Sequence, residues 1–231
     1  MKTIGLLGGM SWESTALYYK IINQEIKSRL GGNHSAKSLV YSVDFEEIVR
    51  LQHQDKWDEL SDIMVNAAKK LKSGGADFLV LCTNTMHKLA EDIVTSVDIP
   101  LLHIAEVTAN RILSAGIKDI ALLGTKFTME DGFFKDKFVD EFDINIITPD
   151  EIDRELIHQV IYKELIHGII TEPSLGSFQH IMTKLSETGA KGFILGCTEI
   201  GLLVHEKNSD FQLFDTTHIH ATAAVEYALS P

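Results

Sequence analysis

The chain has 231 residues, 45% of them hydrophobic, which is enough for one large domain or two smaller ones, each with a real core. Its formal net charge is −12 and it has no cluster of Lys or Arg. That excludes nucleic acid or an anionic membrane surface as the expected main partner, because both need a positive footprint; a small molecule is expected instead.

The first residues, Met1 to Met10, are apolar but short and broken by Gly8 and Gly9, so they read as a strand rather than a secretory or membrane segment. Ser11 can cap a helix whose stripe is Leu17, Tyr18, Ile21, Ile22, Ile26 and Leu30, and Gly31-Gly32 ends it. Further short β-branched runs alternate with stretches of helical period. Strands are predicted over residues 3–7, 38–43, 78–82, 101–104, 119–123, 144–148, 193–196 and 212–214, with helices between, the pattern of βαβ units and a parallel sheet. Cys82 and Cys197 are the only cysteines, consistent with free thiols in a reducing cytoplasm. No flexible linker is visible.

Two echoes run along the chain. The stretch from Ile4 to Gly9 returns from Ile120 to Thr125, an offset of 116 residues. The stretch from Gly75 to Thr85 returns from Gly189 to Glu199, an offset of 114. Two similar α/β halves are expected, with their strand-to-helix turns meeting at a ligand cleft. At an offset of 114, Thr83 corresponds to Cys197 and Cys82 to Gly196. An offset of 115 pairs Cys82 with Cys197 instead, but it breaks the upstream Gly-Ala register. The choice matters because neighbouring strand residues face opposite ways.

Five motifs carry a family resemblance: Gly8-Gly9-Met10-Ser11-Trp12-Glu13-Ser14-Thr15; Ser42-Val43-Asp44-Phe45 with Gln52; Cys82-Thr83-Asn84-Thr85-Met86-His87; Gly196-Cys197-Thr198-Glu199; and Phe214-Asp215-Thr216-Thr217-His218-Ile219-His220-Ala221. On these the chain resembles the aspartate/glutamate racemases, which need no cofactor and no metal. The resemblance implies two pseudo-symmetric three-layer α/β domains with mainly parallel sheets. The division expected is residues 1–98 plus 212–231 for the first domain and 99–211 for the second, with the active site in the cleft between them. It also implies a homodimer and a small acidic amino acid, glutamate or aspartate, as substrate. Two thiols of that family work on opposite faces of the α-carbon, one removing a proton and the other returning one. Here the slot before the Asn-Thr pair holds Thr83 and the cysteine stands one step earlier. Cys197 is therefore the expected base and Thr83 the expected opposing group, with Cys82 as its alternative. Met10, Gln52, Thr83, Asn84, Thr85, Thr125, Lys163, Thr198 and Glu199 are implied as substrate-binding, with Lys163 the partner of a distal carboxylate.

Elementary chemistry agrees with part of this. A thiol titrates near pH ~8.5 and can exchange protons at neutral pH, whereas a threonine hydroxyl only relays them. The amides of the Gly8-Gly9-Met10 turn and of the helices after Thr83 and Cys197 are expected to face a carboxylate and a developing enediolate. Ordinary structural readings stand beside each assignment. Cys82 suits a small apolar filler, Lys163 a solvated charge, His87 a hydrogen-bonding scaffold, Glu199 a helix-terminal charge, and His218 with His220 caps or core partners rather than zinc ligands. Two other functions share the features: a one-cysteine decarboxylase or isomerase, and a non-catalytic sensor of acidic amino acids.

Overall fold

The computed structural model describes all residues, Met1–Pro231. In chain order the elements are β1 (Ile4–Gly8), α1 (Trp12–Leu30), β2 (Ser38–Ser42), α2 (Phe45–His53), α3 (Trp57–Ser73), β3 (Phe78–Leu81), α4 (Ala90–Ser96), β4 (Leu101–Leu102), α5 (Ile104–Ser114) and β5 (Asp119–Leu123). They continue with α6 (Lys126–Glu130), α7 (Gly132–Asp136), β6 (Asn145–Ile147), α8 (Glu151–Lys163), α9 (Glu172–Glu187), β7 (Phe193–Leu195), α10 (Ile200–Leu203), β8 (Leu213–Asp215) and α11 (Thr216–Leu229). All eight predicted strands are present, several of them trimmed by one or two residues at an end.

The strands form two four-stranded sheets of order β2-β1-β3-β4 and β6-β5-β7-β8, parallel throughout. The chain divides into two compact units, Met1–Ile104 with His220–Pro231, and Ala105–Ile219. Both boundaries lie later than the expected 98/99 and 211/212. Strand pairing is the reason: β4 pairs with β3 in the first sheet and β8 with β7 in the second. The returning segment is α11 from His220 on, without β8.

In the first unit, side chains alternate across β3. Leu79 and Leu81 join Leu7 and residues of α2, α3 and α4 in one apolar cluster, while Phe78, Val80 and Cys82 join Ile4, Leu6, Tyr18, Ile22, Ile26 and α11 residues Ala221, Ala224, Val225 and Ala228 in another. A sheet buried on both faces needs apolar residues at every position, which explains the uninterrupted Phe-Leu-Val-Leu-Cys run. The second unit repeats this logic, with Ile120, Leu122, Phe193 and Ile194 fully buried in its central strands.

Each fourth strand is followed by a helix that packs in the other unit. Helix α5 follows β4 of the first sheet but, from Ala105 on, belongs to the second unit, where Glu106 pairs with Lys137 at 2.9 Å. Helix α11 follows β8 and, from His220 on, belongs to the first.

Candidate active site

Parallel strands end in turns that launch helices, and the candidate residues other than Gln52 on α2 and Lys163 on α8 lie at these carboxyl ends in each unit. In the first unit Ser11 caps α1 by accepting from the Ser14 N–H at 3.2 Å. Gly9 sits at φ +93°, and an added Cβ there would collide with the backbone of Val43. One expectation is corrected at this turn: the Gly9 N–H does not point at a ligand but donates to Thr15 Oγ1 at 2.8 Å. Met10 packs into the apolar cluster on the α2 and α3 side. Gln52 is buried and its Nε2 donates to Met86 Sδ at 3.2 Å, which ties α2 to the turn after β3.

That turn sets the register of the cysteine and the threonine against the second unit. Leu7 pairs with Leu81, and Leu123 pairs with Leu195. The Leu7 carbonyl accepts from the Cys82 N–H at 2.9 Å, and the Leu123 carbonyl from the Gly196 N–H at 2.7 Å. At the strand starts, Thr3 O accepts from Asp77 N–H and Asp119 O from Lys191 N–H, each at 2.9 Å. With β1 matched to β5 at an offset of 116, every one of these pairs sets β3 against β7 at 114. Cys82 is thus the counterpart of Gly196, and Thr83 of Cys197.

The surroundings agree with the register. Cys82 is fully buried among apolar residues, its thiol donates to Val80 O at 3.7 Å, and burial pushes its pKa far up, so it holds its proton. An added Cβ at Gly196 would lie 2.9 Å from Leu122 Cδ1, the same inward direction in the second unit. Thr83, Asn84 and Thr85 follow on a tight turn, all nearly buried. The Ser14 hydroxyl donates to Cys82 O at 3.0 Å and joins the α1 turn to this one.

In the second unit Thr125 caps α6, its Oγ1 accepting from Thr128 N–H at 3.3 Å. An added Cβ at Gly124 would lie 3.2 Å from Gly196 O, so the Thr125 and Cys197 turns abut. The Cys197 thiol donates to Glu199 Oε2 at 2.9 Å, and the Thr198 hydroxyl donates to the same oxygen at 2.6 Å. Burial raises the Cys197 pKa well above the usual thiol value and the Glu199 carboxylate raises it further, while the amides of Glu199 and Thr198 pull it down. Cys197 keeps some solvent access, unlike Cys82, so water relieves part of the push from burial.

Lys163 is not part of this group. It lies exposed on α8, donates to Gln159 Oε1 at 2.9 Å, and lines a surface groove with Ile152, Leu156 and Glu164. Its neighbour Tyr162 is the residue that feels Cys197: burial, Cys197 and Glu199 all raise its pKa, and its ring lies 4.6 Å from that of His158. Sequence reasoning missed Tyr162; the His158-Tyr162 spacing puts the two rings on one helix face but does not say which way that face points. His218 is exposed; His220 is buried with both ring nitrogens engaged, to the Tyr18 hydroxyl and Leu102 O, each at 2.9 Å.

Comparison with known proteins places this geometry. The pattern of the Asp/Glu/Hydantoin racemase family matches residues 7–224. A crystal structure of a candidate Asp/Glu racemase from Yersinia pestis is 50% identical, with a TM-score of 0.93 and full coverage of both chains. An aspartate racemase homologue from Pyrococcus horikoshii OT3 is 30% identical, with a TM-score of 0.84 and full coverage of both chains. The broad specificity amino-acid racemase RacX of Bacillus subtilis (strain 168) is 22% identical over 98% of each chain. With register, turn chemistry and full-length similarity in agreement, the chain belongs to the Asp/Glu/Hydantoin racemase family.

Proposed function

We propose that this amino-acid racemase interconverts the enantiomers of a small acidic amino acid, glutamate or aspartate, by proton transfer at the α-carbon, with Cys197 as base and Thr83 as the opposing group. The observation that carries the reading is the strand register, which makes Thr83 and Cys197 equivalent positions on matched turns. The reading requires both turns to serve one substrate.

Glu199 gives the substrate's α-ammonium a partner. In the ligand-free protein its carboxylate opposes ionisation of Cys197. An ammonium on Glu199 cancels that charge, so substrate binding itself favours the thiolate. The thiolate then removes the α-proton and becomes a thiol. The resulting enediolate is stabilised by donors at the turns; Thr83 gives its hydroxyl proton to the opposite face and takes one from water, and the hydroxide left is neutralised by the proton that the Cys197 thiol releases on returning to the thiolate. The enantiomers have equal energy, so kcat/KM is equal in both directions, and the weaker hydroxyl partner slows both.

The test is to incubate the protein with L-glutamate and with L-aspartate in D₂O, following chirality and loss of the α-proton signal. Appearance of the D-enantiomer with deuterium at the α-carbon supports the reading. Carbon dioxide release would instead mark a decarboxylase, and thermal stabilisation with no exchange would mark a sensor.

A further inference from the structure

In the first unit one imidazole bonds the turn after β3 on both of its ring nitrogens, beside the Ser14 and Gln52 contacts. His87 lies on the 3-10 turn Thr85–Leu89 and is 3% exposed. Its Nδ1 is 2.7 Å from Thr83 O, and the Ile104 N–H reaches its Nε2 at 3.2 Å. A carbonyl can only accept and an amide N–H can only donate. The hydrogen therefore sits on Nδ1 and the lone pair on Nε2, which leaves one tautomer. A second ring hydrogen would face the Ile104 N–H, and burial, with His103 and His220 nearby, keeps the ring from charging. The His103 and His220 rings lie 4.7 and 5.8 Å from it. Ile104 is the last residue of the first unit before the chain crosses to the second, and His220 is the first after it returns.

We propose that His87 is a positioning residue for Thr83: its Nδ1–H fixes the carbonyl of the turn that carries the threonine, and its Nε2 anchors that turn to Ile104. The inference rests on Thr83 being the group opposite Cys197. A carbonyl held at 2.7 Å fixes the plane of the peptide after Thr83, and with it the Cα–Cβ direction from which the hydroxyl projects. A hydroxyl that relays a proton needs that aim, because its hydrogen bonds are directional. The matched position in the second unit is Gly201, which has no side chain to give; an added Cβ there would lie 2.9 Å from Asp215 Oδ2. The imidazole strut belongs to the threonine side alone.

Two substitutions separate its bonds. His87→Asn places an amide nitrogen near the site of Nδ1, keeping the Thr83 bond and giving up the Ile104 one. His87→Gln reaches the site of Nε2 and does the reverse. Both are expected to lower the melting temperature to a similar degree. Only His87→Gln should shift the Thr83 methyl resonance, and it should reduce kcat for α-proton exchange about 10-fold or more with KM within about two-fold, as misplacement of a reacting group does. His87→Asn should stay within about three-fold of the parent. Equal losses of kcat in both variants, in step with stability, would overturn the proposal, as would an unmoved Thr83 methyl in His87→Gln. If the parent exchanges no acidic amino acid, the functional reading fails, and the methyl resonance still decides the role of His87.

Discussion

Cys82 and Thr83 are adjacent, yet one is a core residue and the other stands where the second unit carries its thiol. Cys82→Ala is expected to cost about 1–2 kcal/mol of stability, as a small truncation in a packed core does, with exchange activity retained. Chemical denaturation beside an exchange assay checks both halves of that statement. Glu199 bears on Cys197 through charge. Because the carboxylate raises the thiol's pKa, Glu199→Gln should move the ascending limb of the pH profile of kcat/KM to lower pH. The same variant should raise KM, since the substrate ammonium loses its partner. An unmoved limb would show that Glu199 does not tune the thiol. Which residue of α8 lies near Cys197 was not legible in the sequence. Tyr162 and Lys163 are 100° apart on the helix, and only packing decides which faces in.

At the scale of elements, the sequence was informative wherever both sides of a segment are buried. The apolar runs of β1, β3, β5 and β7 are central strands, and two internal echoes mark their equivalence. The expected division already gave α5 to the second half and α11 to the first; the points at which the chain crosses were not legible. Each helix follows its strand in the ordinary βα manner, and its apolar residues would suit either sheet. Domain limits placed by sequence therefore fell early at β4 and at β8. The Gly8-Gly9 turn was read as a source of free amides, but the Thr15 hydroxyl, one helical turn into α1, takes the Gly9 N–H. Glycine has two distinct uses here. Gly9 combines a positive φ with a close approach to Val43, whereas Gly75, at φ +98°, has open space where a Cβ would go. Gly9→Ala should thus cost about 2–4 kcal/mol, strain plus overpacking, and Gly75→Ala only about 1–2 kcal/mol from strain. Urea midpoints of the two variants give the comparison, and equal costs would contradict it.

Across the whole molecule, two buried histidines make stability depend on acid. Burial lowers the pKa of His220 to about 4. The unfolded chain therefore binds the proton first, and the stabilisation is intact above pH ~6.5 and is lost as pH falls toward 4, up to about 3 kcal/mol. His87 adds to the loss in the same direction. His220→Asn should be less stable at neutral pH but lose less between pH 6.5 and 4.5 than the parent, measured by urea denaturation. An unchanged slope would show that the ring does not titrate as its burial implies. The central claim is that Thr83, not Cys82, shares the chemistry with Cys197. Deuterium wash-in at the α-carbon of L-glutamate and L-aspartate, compared among Cys82→Ala, Thr83→Ala and Cys197→Ser, tests it most directly. The account predicts near-parental exchange for Cys82→Ala, a loss of about 10²-fold for Thr83→Ala, and a loss of about 10³-fold or more for Cys197→Ser. Near-parental exchange in Thr83→Ala, with collapse in a folded Cys82→Ala protein, would contradict it.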